Sequence, residues 1–166
     1  MKQAVSRTAS VIGTILAALV LGLTMATSAA AAGCTGFGCD GHDPNIQSWQ
    51  EGPNTTYGPD GVGSSFTLEL RWGKTDGDQY SWGRLRFPNA SGAENWKVSV
   101  DRCPKSGGSP CAWGLGVRYG YASGWSAASG ANYTATRTPM YYNPSTHMMR
   151  ACATNPSGDQ YCTAWY

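Results

Sequence analysis

Six cysteines standing behind an export leader constrain this chain more than any other feature. An exported chain matures in an oxidising compartment, where an even set of cysteines forms bridges rather than reactive thiolates. The leader is read from its order: Lys2 and Arg7, an apolar stretch over residues 11–25, then small residues over 26–32. Basic, apolar, small is the order of a secretory signal peptide, with an A-x-A type cleavage site near Ala32. The apolar stretch falls short of the ~20 residues that a helix needs to cross a bilayer. Ala31-Ala32-Gly33-Cys34 could also end a lipoprotein signal, but lipidating Cys34 would strand one cysteine without a partner. The expected product is secreted and extracellular, with no stable membrane insertion.

Turn symmetry narrows the disulfide pairing. Cys103 and Cys111 lie equally far from Gly107, and Cys152 and Cys162 flank residues 155–159 symmetrically. Hairpins at those turns bring each pair face to face, leaving Cys34 to close a small loop with Cys39. A zinc site using Cys34, Cys39 and His42 is the rival reading, and export with even parity disfavours it. No metal and no cofactor is expected.

Charge excludes one class of partner. Removing Lys2 and Arg7 from the 12 Lys and Arg leaves 10, against 10 Asp and Glu. The expected mature chain is therefore net neutral and holds no block of like charge. Nucleic-acid binding, which needs a concentrated basic surface, is not expected.

The leader at 1–32 is followed by a Gly-rich segment at 33–59, read as an irregular arm with a short strand near 46–49, and by a β domain at 60–166. In the domain, Phe66, Leu68, Leu70 and Trp72 alternate with polar residues, the period of a half-buried strand. Asp76-Gly77 is a hairpin signal leading to a strand at 80–87. Further strands are expected at 96–102, 111–119, 133–140, 147–154 and 161–166, with a loop at 123–132. Short strands joined by frequent turns predict an all-β fold, one small disulfide-bonded β-sandwich or barrel.

Catalytic chemistry has little to build on. His42 and His147 stand far apart, no G-x-S-x-G elbow is present, and the cysteines are assigned to bridges. Glu69 beside Arg71 reads as a structural ion pair, and Asp40 and Asp43 as turn caps rather than calcium ligands. Asn54, Asn89 and Asn132 begin glycosylation sequons, a weak signal. The aromatics say more. Trp72, Trp113 and Tyr119 follow inward patterns, with Trp113, Leu115, Val117 and Tyr119 on one face. Tyr80, Trp82, Arg84 and Arg86 alternate with Leu85 and Phe87, so they share the opposite face. If that face is open, it is a recognition strip of the residue types that dominate interfaces; if not, its side chains cover a neighbour.

Several short segments resemble a known group. Cys34-Thr-Gly-Phe-Gly-Cys39-Asp-Gly-His-Asp-Pro44, Leu68-Glu-Leu-Arg-Trp72, Trp82-Gly-Arg84, Arg137-Thr-Pro-Met140, Arg150-Ala-Cys152 and Cys162-Thr-Ala-Trp-Tyr166 resemble the YjfA-like family of small secreted actinobacterial proteins (domain of unknown function 2690). The resemblance implies export and a compact β fold, and no established activity. The chain departs from that pattern in lacking cysteines at 45–51 and 73–81 and carrying Cys103 and Cys111 instead, which leaves the pairing of Cys34 and Cys39 open.

The expected function is that of a secreted non-enzymatic binding module. Its expected partner is another secreted or cell-surface protein, met through Tyr80, Trp82, Arg84 and Arg86. A carbohydrate or cell-wall ligand is the alternative, and a small hydrolase trails both. The secreted protein should begin near Gly33 and weigh six protons less than its fully reduced form. Intact mass spectrometry that finds lipid on Cys34, or thiols after denaturation, contradicts this.

Overall fold

The computed structural model describes residues 35–60, 66–87, 93–119, 126–127 and 134–166. Its ten strands are β1 (Glu51–Asp60), β2 (Thr67–Thr75), β3 (Asp78–Phe87), β4 (Lys97–Pro104), β5 (Ala112–Tyr119), β6 (Ser126–Ala127), β7 (Thr134–Arg137), β8 (Tyr141–Tyr142), β9 (His147–Thr154) and β10 (Gln160–Cys162). They form two sheets. The first runs β1-β2-β3-β7-β6, with β8 also on β3, and the second runs β10-β9-β4-β5. Every pairing is antiparallel.

Local chemistry sets the register. Asp76 and Gly77 both have positive φ, at 51° and 81°, and Thr75 faces Asp78 across the turn. That is the backbone of a two-residue hairpin whose twist matches its strands. It places Leu68 opposite Leu85 and Glu69 opposite Arg84. In the second sheet Val98 faces Ala153 and Val100 faces Ala151. The two apolar faces meet in one core of Phe66, Leu68, Leu70, Leu85, Phe87, Val98, Val100, Met149, Ala151 and Ala153. The fold is all-β, as expected, and a sandwich rather than a barrel.

Several boundaries differ from the sequence reading. The segment expected to be an irregular arm carries all of β1 but its last residue, paired with β2. No strand forms near 46–49; residues Pro44–Ile46 make a 3-10 turn capped by Asp43, whose carboxylate accepts the Asn45 amide at 2.9 Å. The expected strand at 133–140 is shortened to β7, β8 follows just beyond it, and β6 lies inside the expected loop.

The rest of the arm crosses the outer side of the first sheet. Cys39, Tyr80, Trp82 and Met140 form a second buried cluster there, closed by Trp49 and Tyr142. Asp40 anchors it, accepting from the Tyr142 amide at 2.6 Å and from Arg102 Nη1 at 2.8 Å. Backbone bonds from Gly41 N to Met140 O and from Met140 N to His42 O complete the seam. Trp49 reaches Trp82 only because position 73 on β2 is glycine: a Cβ there would stand 2.5 Å from the Trp49 ring. Gly73→Ala should therefore unseat Trp49 and cost about 1–3 kcal/mol, as overpacking does. Thermal melts with indole fluorescence check it; an unchanged melting temperature and emission spectrum would contradict it.

Candidate functional site

The strip of Tyr80, Trp82, Arg84 and Arg86 is not an open recognition face. Alternation placed it correctly, opposite Leu85 and Phe87, but Tyr80 and Trp82 are only 0 % and 3 % exposed. The reason is the arm. Trp49 stacks on Trp82 with ring centroids 5.1 Å apart at 18°, and the Arg71 guanidinium lies 5.9 Å from the Trp82 ring. Arg84 and Arg86 turn to Glu69: Arg84 Nε donates to its buried carboxylate, and Arg86 Nη1 lies 3.3 Å from it. Burial, together with the charge of Asp78, pushes the Tyr80 hydroxyl up to about 12, so it stays protonated and points to that carboxylate at 3.4 Å.

The open aromatic surface lies on the other sheet. Trp113, Val117 and Tyr119 of β5 are 60 %, 39 % and 47 % exposed, where an inward face was expected. Two register shifts between β4 and β5 explain it, one between Val98 and Val100 and one between Val100 and Arg102. Each shift breaks the regular pleat, so alternation no longer predicts the face. Leu115 alone of the expected face packs on the core. Trp72 is half-buried and stacks on Tyr166.

Beside Trp113 the outer face of the second sheet is organised around one carboxylate. Asp101 on β4 is buried, and its Oδ1 accepts the Gly114 amide at 2.8 Å. Its Oδ2 accepts Arg150 Nε at 2.9 Å from β9, the residue directly opposite. The Arg150 guanidinium lies 5.5 Å from the Trp113 ring and 4.6 Å from the Trp165 ring. Lys97 Nζ lies 5.4 Å from the Tyr119 ring further along β5. Such contacts hold cations against aromatic faces.

Both expected hairpin disulfides are present, Cys103–Cys111 and Cys152–Cys162. Cys39 is also disulfide-bonded, and its expected partner Cys34 lies outside the described residues. Asp101, Cys152 and Cys162 form the one metal-like cluster among the described residues, but their sulfurs belong to a cystine and cannot act as thiolates.

A groove of about 540 Å³ opens between the β2–β3 turn and the β8–β9 loop, lined in part by Asp78, Lys105, Tyr142, His147 and Tyr166. Its carboxylate is engaged: Asp78 Oδ2 accepts the Gly36 amide at 2.7 Å and so ties down the arm. Asp43 and Arg137 likewise pair at 3.1 Å across the arm. Burial raises the Asp43 carboxyl, but the Asn45 amide and the Arg137 guanidinium outweigh it and hold it below its usual value. No helix among the described residues is long and apolar enough to cross a membrane. Asn54 lies exposed on β1, and Asn89 and Asn132 fall outside the described residues.

Arg150 and Trp165 were missed, because the pairing that sets Arg150 opposite Asp101 joins distant segments of the chain. Of the residues after Cys162, Trp165 lies against Arg150, whereas Tyr166 stacks on Trp72 of the first sheet. No family model matches the chain, and no curated protein and no solved structure matches it either. The two tryptophans should respond oppositely to truncation. Trp82→Ala should cost roughly 3–5 kcal/mol of stability, as a buried large aromatic does. Trp113→Ala, at an exposed site, should cost no more than ~1 kcal/mol. Denaturant titrations of both variants decide, and equal losses would contradict this placement.

Proposed function

We propose that this protein is a secreted, non-enzymatic binding module that holds a protein partner against the outer face of its second sheet. The observation that carries the reading is the exposure of Trp113, Val117 and Tyr119 on one strand. Exposed Trp and Tyr beside Arg are the side chains that most often dominate protein interfaces. The face is also rigid, since Cys103–Cys111 and Cys152–Cys162 brace the hairpins that carry it. Rigidity matters because a face already ordered loses less entropy on binding. The register shifts along β5 make strand addition a poor mode for this edge. Contact is made through side chains instead.

A sugar-stacking platform suits the same residues less well. Trp113 and Trp165 meet at 61°, and Arg150 lies against a face of each. Two coplanar open rings are thus not offered to a pyranose. The groove lined by Tyr142, Tyr166 and Lys105 is the better place for a carbohydrate and keeps that second reading alive. Membership of the YjfA-like family belongs to the proposal as well, on the strength of the residues 34–44 opening.

A photoreactive residue at Val117 should capture one protein from culture fluid, whereas the same residue at exposed Asn54 should not. Trp113→Ala should then weaken affinity for the purified partner by 2 kcal/mol or more, roughly thirtyfold. Equal capture at the two positions, or binding of wild type to peptidoglycan or chitin and to no protein, overturns the reading.

A further inference from the structure

A guanidinium carries five N–H donors in a flat fork that matches a carboxylate in shape. Arg150 commits one of them, Nε, to Asp101 Oδ2. Among the described residues neither of its Nη atoms meets a hydrogen-bond acceptor. The side chain is nonetheless held in place. Trp113 and Trp165 lie 5.5 Å and 4.6 Å from its guanidinium carbon, and Asp101 is fixed in turn by burial and by the Gly114 amide. The Arg150 side chain remains 25 % exposed.

Neutralising Asp101 does not require this arrangement, since a lysine ammonium could do it. A guanidinium adds a second, outward edge with fixed direction. Its ordering has already occurred on folding, so a ligand that uses it loses little further side-chain freedom. A second cation reinforces the sign of the face. Lys97 lies over Tyr119 on the same strand pair and forms no ion pair among the described residues.

We propose that Arg150 is a carboxylate-binding fork within the exposed aromatic face, and that the partner docks there with an acidic segment. The proposal rests on the protein-binding reading and names the partner's chemistry: an Asp or Glu carboxylate bidentate on the two Nη atoms, with apolar neighbours against Trp113 and Val117. Such a pair is directional and charge-assisted. It selects a carboxylate over the isosteric amide, which offers only one acceptor and no charge.

The test uses the mature, disulfide-intact protein and two synthetic peptides, acetyl-Ala-Glu-Phe-Glu-Ala-amide and its counterpart with both glutamates replaced by glutamine. NMR titration follows the indole N–H signals of Trp113 and Trp165 and the Nε–H signal of Arg150. The glutamate peptide should move all three and bind at least about tenfold more tightly than the glutamine peptide, a difference of ~1.4 kcal/mol. Arg150→Lys keeps a charge opposite Asp101 and should erase that preference while the melting temperature stays within a few degrees. If that variant fails to fold, the comparison of the two peptides on wild type decides alone. Equal binding of the two peptides, a preference that survives Arg150→Lys, or indole signals that neither peptide moves overturns the fork. The broader reading is judged separately by capture at Val117, so a face that binds protein without the fork is told apart from one that binds no protein.

Discussion

The stacking of Trp49 on Trp82 decides which surfaces this protein presents. A tryptophan on the outward side of a central strand must either meet solvent or be covered. Here it is covered by a residue from the arm, which reaches it across Gly73. The contact draws the arm over Tyr80 and Met140 and brings Asp40 to Arg102 and the Tyr142 amide. The first sheet is thereby buried on both faces around Tyr80 and Trp82 of β3. Arg84 and Arg86 turn to the buried Glu69, and Arg137 pairs with the exposed Asp43 of the arm.

The second sheet solves the same problem differently. Among the described residues no arm crosses its outer side. Two cystines, a buried aspartate and an arginine held against two indoles occupy the space instead. This cover is thin and mixed, with aromatic edges left open along β5. A buried carboxylate is costly unless its oxygens are satisfied. Asp101 meets that requirement with one backbone amide and one guanidinium, which is why Gly114 and Arg150 sit where they do. The proposed contact face is therefore a by-product of satisfying one buried charge.

Much of this fold was legible in the chain. Asp76-Gly77 announced its hairpin, the alternation around Leu68 and Leu85 announced the core, and two disulfides followed from turn symmetry. The candidate site was legible only in part. For Trp82 the parity was right and the exposure wrong, because its cover comes from Trp49, on an arm whose path over the sheet no local pattern gives away. For β5 the error ran the other way. Periodicity assumes an unbroken pleat, and two register shifts invert that assumption for Trp113, Val117 and Tyr119. Arg150 stayed hidden because its role depends on β4 and β9 lying side by side, a pairing between segments some fifty residues apart in the chain.

The two described hairpin disulfides close short loops, with sequence separations of 8 and 10 residues. By chain-entropy reasoning such loops restrict the unfolded chain by about 2.5 kcal/mol each, well below the ~4.7 kcal/mol of a hundred-residue loop. More telling is what they do not connect. Cys103–Cys111 ties β4 to the segment leading into β5, and Cys152–Cys162 ties β9 to β10, so neither crosses the β4–β9 junction at the middle of the second sheet. Each hairpin can oxidise by itself, without waiting for its distant neighbour to be in place. The halves of that sheet then meet as two pre-braced pieces joined by hydrogen bonds and packing, and neither of these covalent links has to be remade for them to find each other.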